Sequence, residues 1–432
     1  LGQVLLGGAF SVLILSLFAA HILYDLISPT LACVLYLLSI GMGLYPALRH
    51  RSEALLIITM LGGYLIPFLV HFAEPNMTML VGYETLFSIA MILLAFRYAY
   101  FPALYIAYGV LHLPLLVWST FPDMAGMADH RSLYLIAILL QHLLLYILLT
   151  FGQSGKKNVQ PAILFVGFGV CAAWAYNLYP NPAHIYPLTI AALALAYSLT
   201  AGWLSIKKRD VTVYLAVATF GWMLLLINLL DFSTQHAAIA AEGTIALLLG
   251  LTIRNRWQQA TGFLVFLFGS SQILITPIGS VLSSETFSWL VLMASLVLFH
   301  LYNLRLLAAE KDLKPEWIQW SKPNTLLWIL SALFLIFITQ ITNIVTDAWD
   351  SDLRHLVLST VWLVYAITII AFGVLAKARK ARFAGILLLF FTLLKVIFID
   401  LPDVSMAVRA ILFLGLGGIG VAVSRLFYTQ KN

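Results

Sequence analysis

Apolar runs about twenty residues long follow one another almost without pause, broken by short polar connections. A run of that length suits a helix crossing a hydrocarbon core about 30 Å thick. A window of about 19 residues places sixteen such helices near 2–23, 29–48, 54–72, 78–96, 100–121, 131–152, 160–178, 183–205, 211–230, 236–253, 258–276, 285–306, 324–345, 355–376, 382–400 and 405–427. The pattern predicts an all-α, polytopic bundle built as one transmembrane domain over residues 1–432. The connections leave no room for a separate soluble domain.

Charge tests this register independently, because a miscounted span would scramble the alternation of basic and non-basic connections. Of 24 Lys and Arg residues, 20 fall in connections after even-numbered spans or in the C-terminal tail, among them Arg49, Arg51, Arg97, Lys207, Lys208, Arg254, Arg256, Lys377 and Arg379. Connections after odd-numbered spans hold only Arg131, Arg354 and Arg409, and Lys395 lies inside a span. By the positive-inside rule the even connections and both termini are cytoplasmic. Most carboxylates lie on the other side.

Composition agrees: 62% of residues are hydrophobic and 10% charged, against about 25% charged in a soluble domain. The net charge of +6 reads as a topology signal spread over small groups, which argues against a nucleic-acid partner. Cys33 and Cys171 lie inside apolar runs without metal-ligand spacing. No cofactor and no metal site is expected.

Internal repetition is weak, and duplication and biased composition both account for it. Residues 246–275 align without gaps on 369–398 at an offset of 123, pairing Gly250 with Gly373, Arg256 with Arg379, Gly262 with Gly385, Leu264 with Leu387 and Phe268 with Phe391. The repeated unit would be a helical hairpin closed by a basic turn.

Several polar residues inside the spans are candidates for chemistry. His112 and His142 sit about eleven residues from the nearer ends of the fifth and sixth spans, and Gln141 adjoins the second. Ionisable groups at that depth mark a pathway or an internal partner. A histidine pair could relay protons, or each ring could bond a neighbour such as Gln141 or a tyrosine. Pro114 would free the carbonyl of Val110, and Gly62, Gly63 and Pro67 would loosen the third span. Broken helices line sites in many transporters, and they also occur as ordinary kinks.

Glu84 and Glu242 lie about six residues inside the outer ends of their spans, where they either face an outward cavity or share a structural hydrogen bond. Lys395, Asp400, Asp403 and Arg409 gather at the outer ends of the last two spans and suggest an ion-pair cluster joining them, with a substrate-binding charge as the alternative. The GxGxxG run at Gly415–Gly420 lies in mid-span, where small residues serve helix packing rather than a dinucleotide. The chain contains no GxxxxGK[ST], HExxH or GxSxG motif.

The run LGQVLLGG at 1–8, Leu23 and Tyr24 with Ser28 and Pro29, and LGGYLIPF at 61–68 resemble the start of a bacterial family of multi-pass membrane proteins, domain of unknown function 2339. Residues 382–428 resemble its ending, with Lys395, Asp400 and Arg409 at matching positions. The resemblance implies a bacterial cytoplasmic (inner) membrane protein lacking a region ahead of Leu1. It implies no activity.

The leading expectation is therefore a transporter-like or lipid-handling bundle. One alternative is a scaffold or sensor subunit of an envelope complex, and another is a membrane-embedded enzyme acting on a lipid-linked substrate, with absence of enzymatic activity favoured. Membrane lipid, a lipid or small-solute substrate, a protein partner and a second copy of the chain are the partners that fit.

Overall fold

The computed structural model describes residues 2–70, 77–120, 127–152, 162–179, 184–309 and 323–400, with 414, 415, 417 and 418. No strand occurs among them. The helices are α1 (Gly2–Phe18, ending in a π-helical turn, Ala19–Leu23), α2 (Pro29–Arg49), α3 (Glu53–Leu69), α4 (Met77–Tyr98), α5 (Phe101–Val110), α6 (His112–Thr120), α7 (Met127–Phe151) and α8 (Ala162–Leu178). They continue with α9 (Ile185–Ile206), α10 (Thr212–Leu229), α11 (Phe232–Ile253), α12 (Arg256–Ile275), α13 (Ser284–Ala309), α14 (Pro323–Val345), α15 (Ser351–Leu375) and α16 (Arg379–Lys395), the last running into a π-helical turn at Val396–Asp400.

Each expected span from 2–23 to 382–400 coincides with one of these helices, α5 and α6 together filling the fifth. The span near 405–427 lies outside the described residues apart from 414, 415, 417 and 418. Among the described residues, 11 helices are long and apolar enough to cross a membrane. Glu53–Leu69, Phe101–Leu116 and Ala162–Leu178 are apolar but shorter.

The chain divides into two compact units, Leu1–Leu225 and Leu226–Asn432. In the first, α1 packs on α2 and α3, α4 on α5 and α7, and α7 and α9 on α8. Its largest core cluster includes Tyr64, Tyr108, Tyr134, Trp174 and Tyr197. In the second, α11 pairs with α12 and α13, α14 with α13 and α15, and α15 with α16.

Why the chain turns where it does is visible in five connections of one design. Arg51, Ala99, Lys208, Arg254 and Lys377 adopt left-handed φ values of 50, 58, 53, 59 and 53°. After each, the next amide donates to a carbonyl five residues back: Ser52 to Ala47 at 2.9 Å, Tyr100 to Ala95 at 2.9 Å, Arg209 to Leu204 at 3.0 Å, Asn255 to Gly250 at 2.9 Å and Ala378 to Gly373 at 2.9 Å. The left-handed residue's own amide donates three residues back in every case. This is the Schellman motif, which satisfies the last carbonyls of a helix and normally selects glycine. Here four of the five positions carry a cation, which suits the negative end of the helix dipole.

Small residues then set how closely the helices of four of the five hairpins approach, with Leu204 at one position of the remaining one. Four residues before and eight after the left-handed position stand Ala47 and Thr59, Ala95 and Ala107, Leu204 and Ala216, Gly250 and Gly262, and Gly373 and Gly385. A Cβ on Gly250 would stand 2.7 Å from the Gln259 amide nitrogen, and one on Gly373 would stand 2.6 Å from that of Arg382. One on Gly262 would reach the Leu247 nitrogen at 2.4 Å, and one on Gly385 that of Ile370 at 3.0 Å. Both sets of partners stand 123 residues apart, the offset of the sequence alignment. Lipid tails are as apolar as leucine, so close backbone packing is what draws such helices together.

The third span departs from expectation: α3 runs unbroken through Pro67. Proline leaves the carbonyl four residues back without its helical donor, and the Tyr83 hydroxyl donates to that carbonyl, Gly63, at 2.9 Å. A side chain from α4 thus supplies what the proline removes.

Candidate functional site

The fifth span does break. α5 ends at Val110 and α6 starts at His112, with Leu111 between them, as the missing amide of Pro114 would dictate for the Val110 carbonyl. In an unbroken helix the carbonyls of Ala107 and Tyr108 would accept from Leu111 and His112. Here three other helices converge on them. Ala107 O accepts from the Tyr64 hydroxyl of α3 at 3.0 Å and the Ser88 hydroxyl of α4 at 3.2 Å. Gln141 Nε2, on α7, donates to Ser88 Oγ at 2.7 Å, to Tyr108 O at 3.0 Å and, more weakly, to Ala107 O at 3.4 Å. Gln141 is 0% exposed. Irregular backbone at membrane depth persists only where such groups are met internally or line a cavity.

Both conditions hold at this break. Behind it lies the polar collar just described, and in front of it opens a cavity of about 990 Å³ lined by α5 and α6 on one side and α8 on the other. Tyr105, Tyr108, Gly109, His112, Leu113 and Leu116 form the first wall, and Ala162, Ile163, Val166, Val170, Ala173, Trp174 and Asn177 the second. Leu113, Leu116 and Val166 are exposed, so the cavity is a groove open at the side of the bundle. Along α8 it extends from Ala162 to Asn177, about 22 Å at 1.5 Å per residue.

The two histidines occupy different positions around this groove. His112 is part of its wall and stacks edge-on with Tyr108, ring centroids 5.3 Å apart. Neither His112 nitrogen has a hydrogen-bond partner; the Gln141 carboxamide approaches the ring without reaching hydrogen-bond geometry. His142 lies deeper, its Nε2 3.0 Å from the Tyr197 hydroxyl of α9.

Gly167 of α8 lets these groups converge. A Cβ there would lie 2.7 Å from His142 Nδ1 and 2.8 Å from the Tyr108 hydroxyl. Both of those atoms also lack partners. From Tyr197 a row of aromatic side chains continues through Tyr146 and Tyr214, with centroids 5.1 and 5.9 Å away. Tyr214 meets Thr150 at 3.0 Å, and Tyr146 bonds Thr200.

Glu84 stands one turn before Ser88 on α4, 0% exposed, with neither carboxyl oxygen paired. It does not line the groove. Glu242 belongs to the second unit, on α11, with Oε2 unpaired. Lys395, at the end of α16, donates to Ser359 Oγ at 2.6 Å and to the His355 carbonyl at 3.5 Å, both on α15. It therefore links these two helices through a hydroxyl and a carbonyl. The side chain of Asp400, and Asp403 and Arg409 entirely, lie outside the described residues. No group of three or more His, Cys, Asp or Glu fit to hold a metal occurs among the described residues.

Sequence reasoning reached His112, Gln141 and His142 but missed Tyr64, Ser88, Tyr108, Gly167 and Tyr197. Tyr108 precedes His112 by one helical turn, a spacing that could have flagged it. The other four stand on separate helices, and no local spacing connects them.

A wholly helical chain, among its described residues, with this many apolar helices is a multi-pass membrane protein. The family model described as predicted membrane protein, domain of unknown function 2339, matches residues 1–342 and 301–429, and the chain belongs to that family. No curated protein and no solved structure matches it.

Proposed function

We propose that the chain is a lipid-handling bundle of transporter type, in which the groove between α5–α6 and α8 receives the apolar part of a lipid. The observation that carries this reading is the groove itself: about 990 Å³, at the upper end of ligand cavities of about 300–1,000 Å³, largely apolar, open at the side and lined by a broken helix. We infer sixteen crossings of a bacterial inner membrane with both termini cytoplasmic, from the alternation of basic connections. The matching contacts of α11–α12 and α15–α16 support descent from a duplicated hairpin.

Mass spectrometry of lipids retained by the protein in native-lipid nanodiscs tests the reading, alongside Val166→Trp and Val170→Trp, which fill the groove without touching the collar. One lipid enriched over the surrounding membrane in the parent protein and lost in both variants is the expected result. Bulk lipid alone, unchanged by the variants, overturns it.

A scaffold or sensor subunit is the second reading, favoured by the collar: the Gln141 amide nitrogen is engaged by Ser88 Oγ and by the Tyr108 and Ala107 carbonyls, a structural task. It requires a stoichiometric protein partner in the same nanodiscs. It also requires that His112→Phe with His142→Phe leave that partnership intact.

A further inference from the structure

The groove's chemistry narrows its occupant further, and the narrowing rests on the lipid-handling reading above. Among the described residues its wall contains no Lys, Arg, Asp or Glu; its polar members there are Tyr105, Tyr108, His112, Trp174 and Asn177. A phosphate or carboxylate brought to the middle of the groove would meet no fixed cation among these residues, and an unpaired charge at that depth is strongly disfavoured. A lipid that carries its polar atoms on a charged head would have to leave that head outside.

At the same level the wall offers two unmet partners. The buried Tyr108 hydroxyl and both nitrogens of His112 make no hydrogen bond, and the two residues stand one turn apart beside the break at Leu111. The Cys171 thiol lies near the Tyr108 hydroxyl without hydrogen-bond geometry. Tyr64, Ser88 and Gln141 hold the freed carbonyls from behind, so Tyr108 and His112 are not needed for that task. One oxygen placed between a phenol and an imidazole N–H one turn apart can accept from both.

We propose that the groove binds an uncharged, oxygen-bearing lipid, such as a prenylated quinone, with a carbonyl or hydroxyl oxygen held by Tyr108 and His112. The polar atoms of both residues are covered in this structure, the Tyr108 hydroxyl lying against Gly167, so the bound form differs from it by a change of side-chain rotamer.

The test compares two photoreactive probes with the same prenyl tail, one ending in a benzoquinone and the other in a phosphate, added to the full chain in nanodiscs. Labelled peptides are mapped by mass spectrometry. The expected result is saturable labelling of 101–120 and 162–178 by the quinone probe, competed by unlabelled quinone, and no saturable labelling there by the phosphate probe. Tyr108→Phe should weaken the quinone probe about tenfold, equivalent to about 1.4 kcal/mol.

The ligand-free protein should meanwhile melt no lower with Tyr108→Phe, because the hydroxyl removed has no partner to lose. Equal or stronger labelling by the phosphate probe overturns the neutral-lipid proposal and leaves the groove as a lipid site. Labelling by neither probe overturns both. Undiminished quinone labelling in a stable Tyr108→Phe protein overturns the hydrogen-bond assignment.

Discussion

Replacing Gln141 by leucine tests whether the collar holds the broken helix. Leucine fills nearly the same volume at a 0% exposed position but donates nothing. The change deletes two good hydrogen bonds, to Ser88 Oγ at 2.7 Å and Tyr108 O at 3.0 Å, and a weak third to Ala107 O at 3.4 Å. Side-chain hydrogen bonds in helical membrane proteins average about 0.6 kcal/mol and reach about 1.7, so the loss should be about 1–3 kcal/mol.

Tyr64→Phe is the matched control. It removes one bond, to Ala107 O at 3.0 Å, and leaves that carbonyl with Ser88 at 3.2 Å. Its cost should be about 0.6 kcal/mol. Reversible unfolding in bicelles, driven by sodium dodecyl sulfate, gives both values, and Gln141→Leu with Ser88→Ala completes a double-mutant cycle. A Gln141→Leu cost equal to or below that of Tyr64→Phe, or a cycle without coupling, would refute the collar as the element that stabilises the break.

Gly167→Ala should destabilise by about 1–3 kcal/mol, because its methyl would press on His142 and the Tyr108 hydroxyl. Gly169→Ala, with nothing within 4 Å of its Cβ, should be neutral or gain up to about 1 kcal/mol of helix propensity; equal melting of the two variants would contradict this contrast. Glu84→Gln should leave the melting temperature unchanged or raise it, since the buried carboxyl has no partner to lose, and a marked fall would reveal a role for the carboxyl. Lys208→Gly should raise stability by up to about 1 kcal/mol, because glycine adopts the left-handed turn conformation without the steric cost of a side chain; a loss on thermal denaturation would mean that the cation matters more than the strain.

The helices and basic turns were legible because hydrocarbon thickness and the cost of exposed backbone leave an apolar segment few alternatives. The effect of each proline was less legible. Pro67 and Pro114 each remove one amide, yet α3 continues because Tyr83 donates to Gly63 O, while the fifth span divides at Leu111. The difference lies in a neighbouring helix, which a linear reading does not contain. Lys395 adds a further case: its contacts to Ser359 and the His355 carbonyl on α15 lie 36 and 40 residues away in sequence, beyond any local spacing.

Two hairpins differ at the crossing that the collar occupies. In α11–α12 the residue eleven before the left-handed turn is Gly243, and a Cβ there would stand 2.2 Å from the Phe266 nitrogen, twelve residues after the turn. Bare backbones meet at that crossing and α12 runs through it unbroken. In α4–α5, which turns at Ala99, the residue eleven before is Ser88, and the residue twelve after is Leu111. A serine in place of the glycine supplies a hydroxyl, which donates to Ala107 O and accepts from Gln141. The helix divides at the position where its counterpart packs closest. Ser88 at this crossing, with Tyr64 and Gln141 from α3 and α7, supplies the donors that tolerate the break beside Pro114. Tyr108 and His112, which flank the residue at which the helix divides, form part of the wall of the groove.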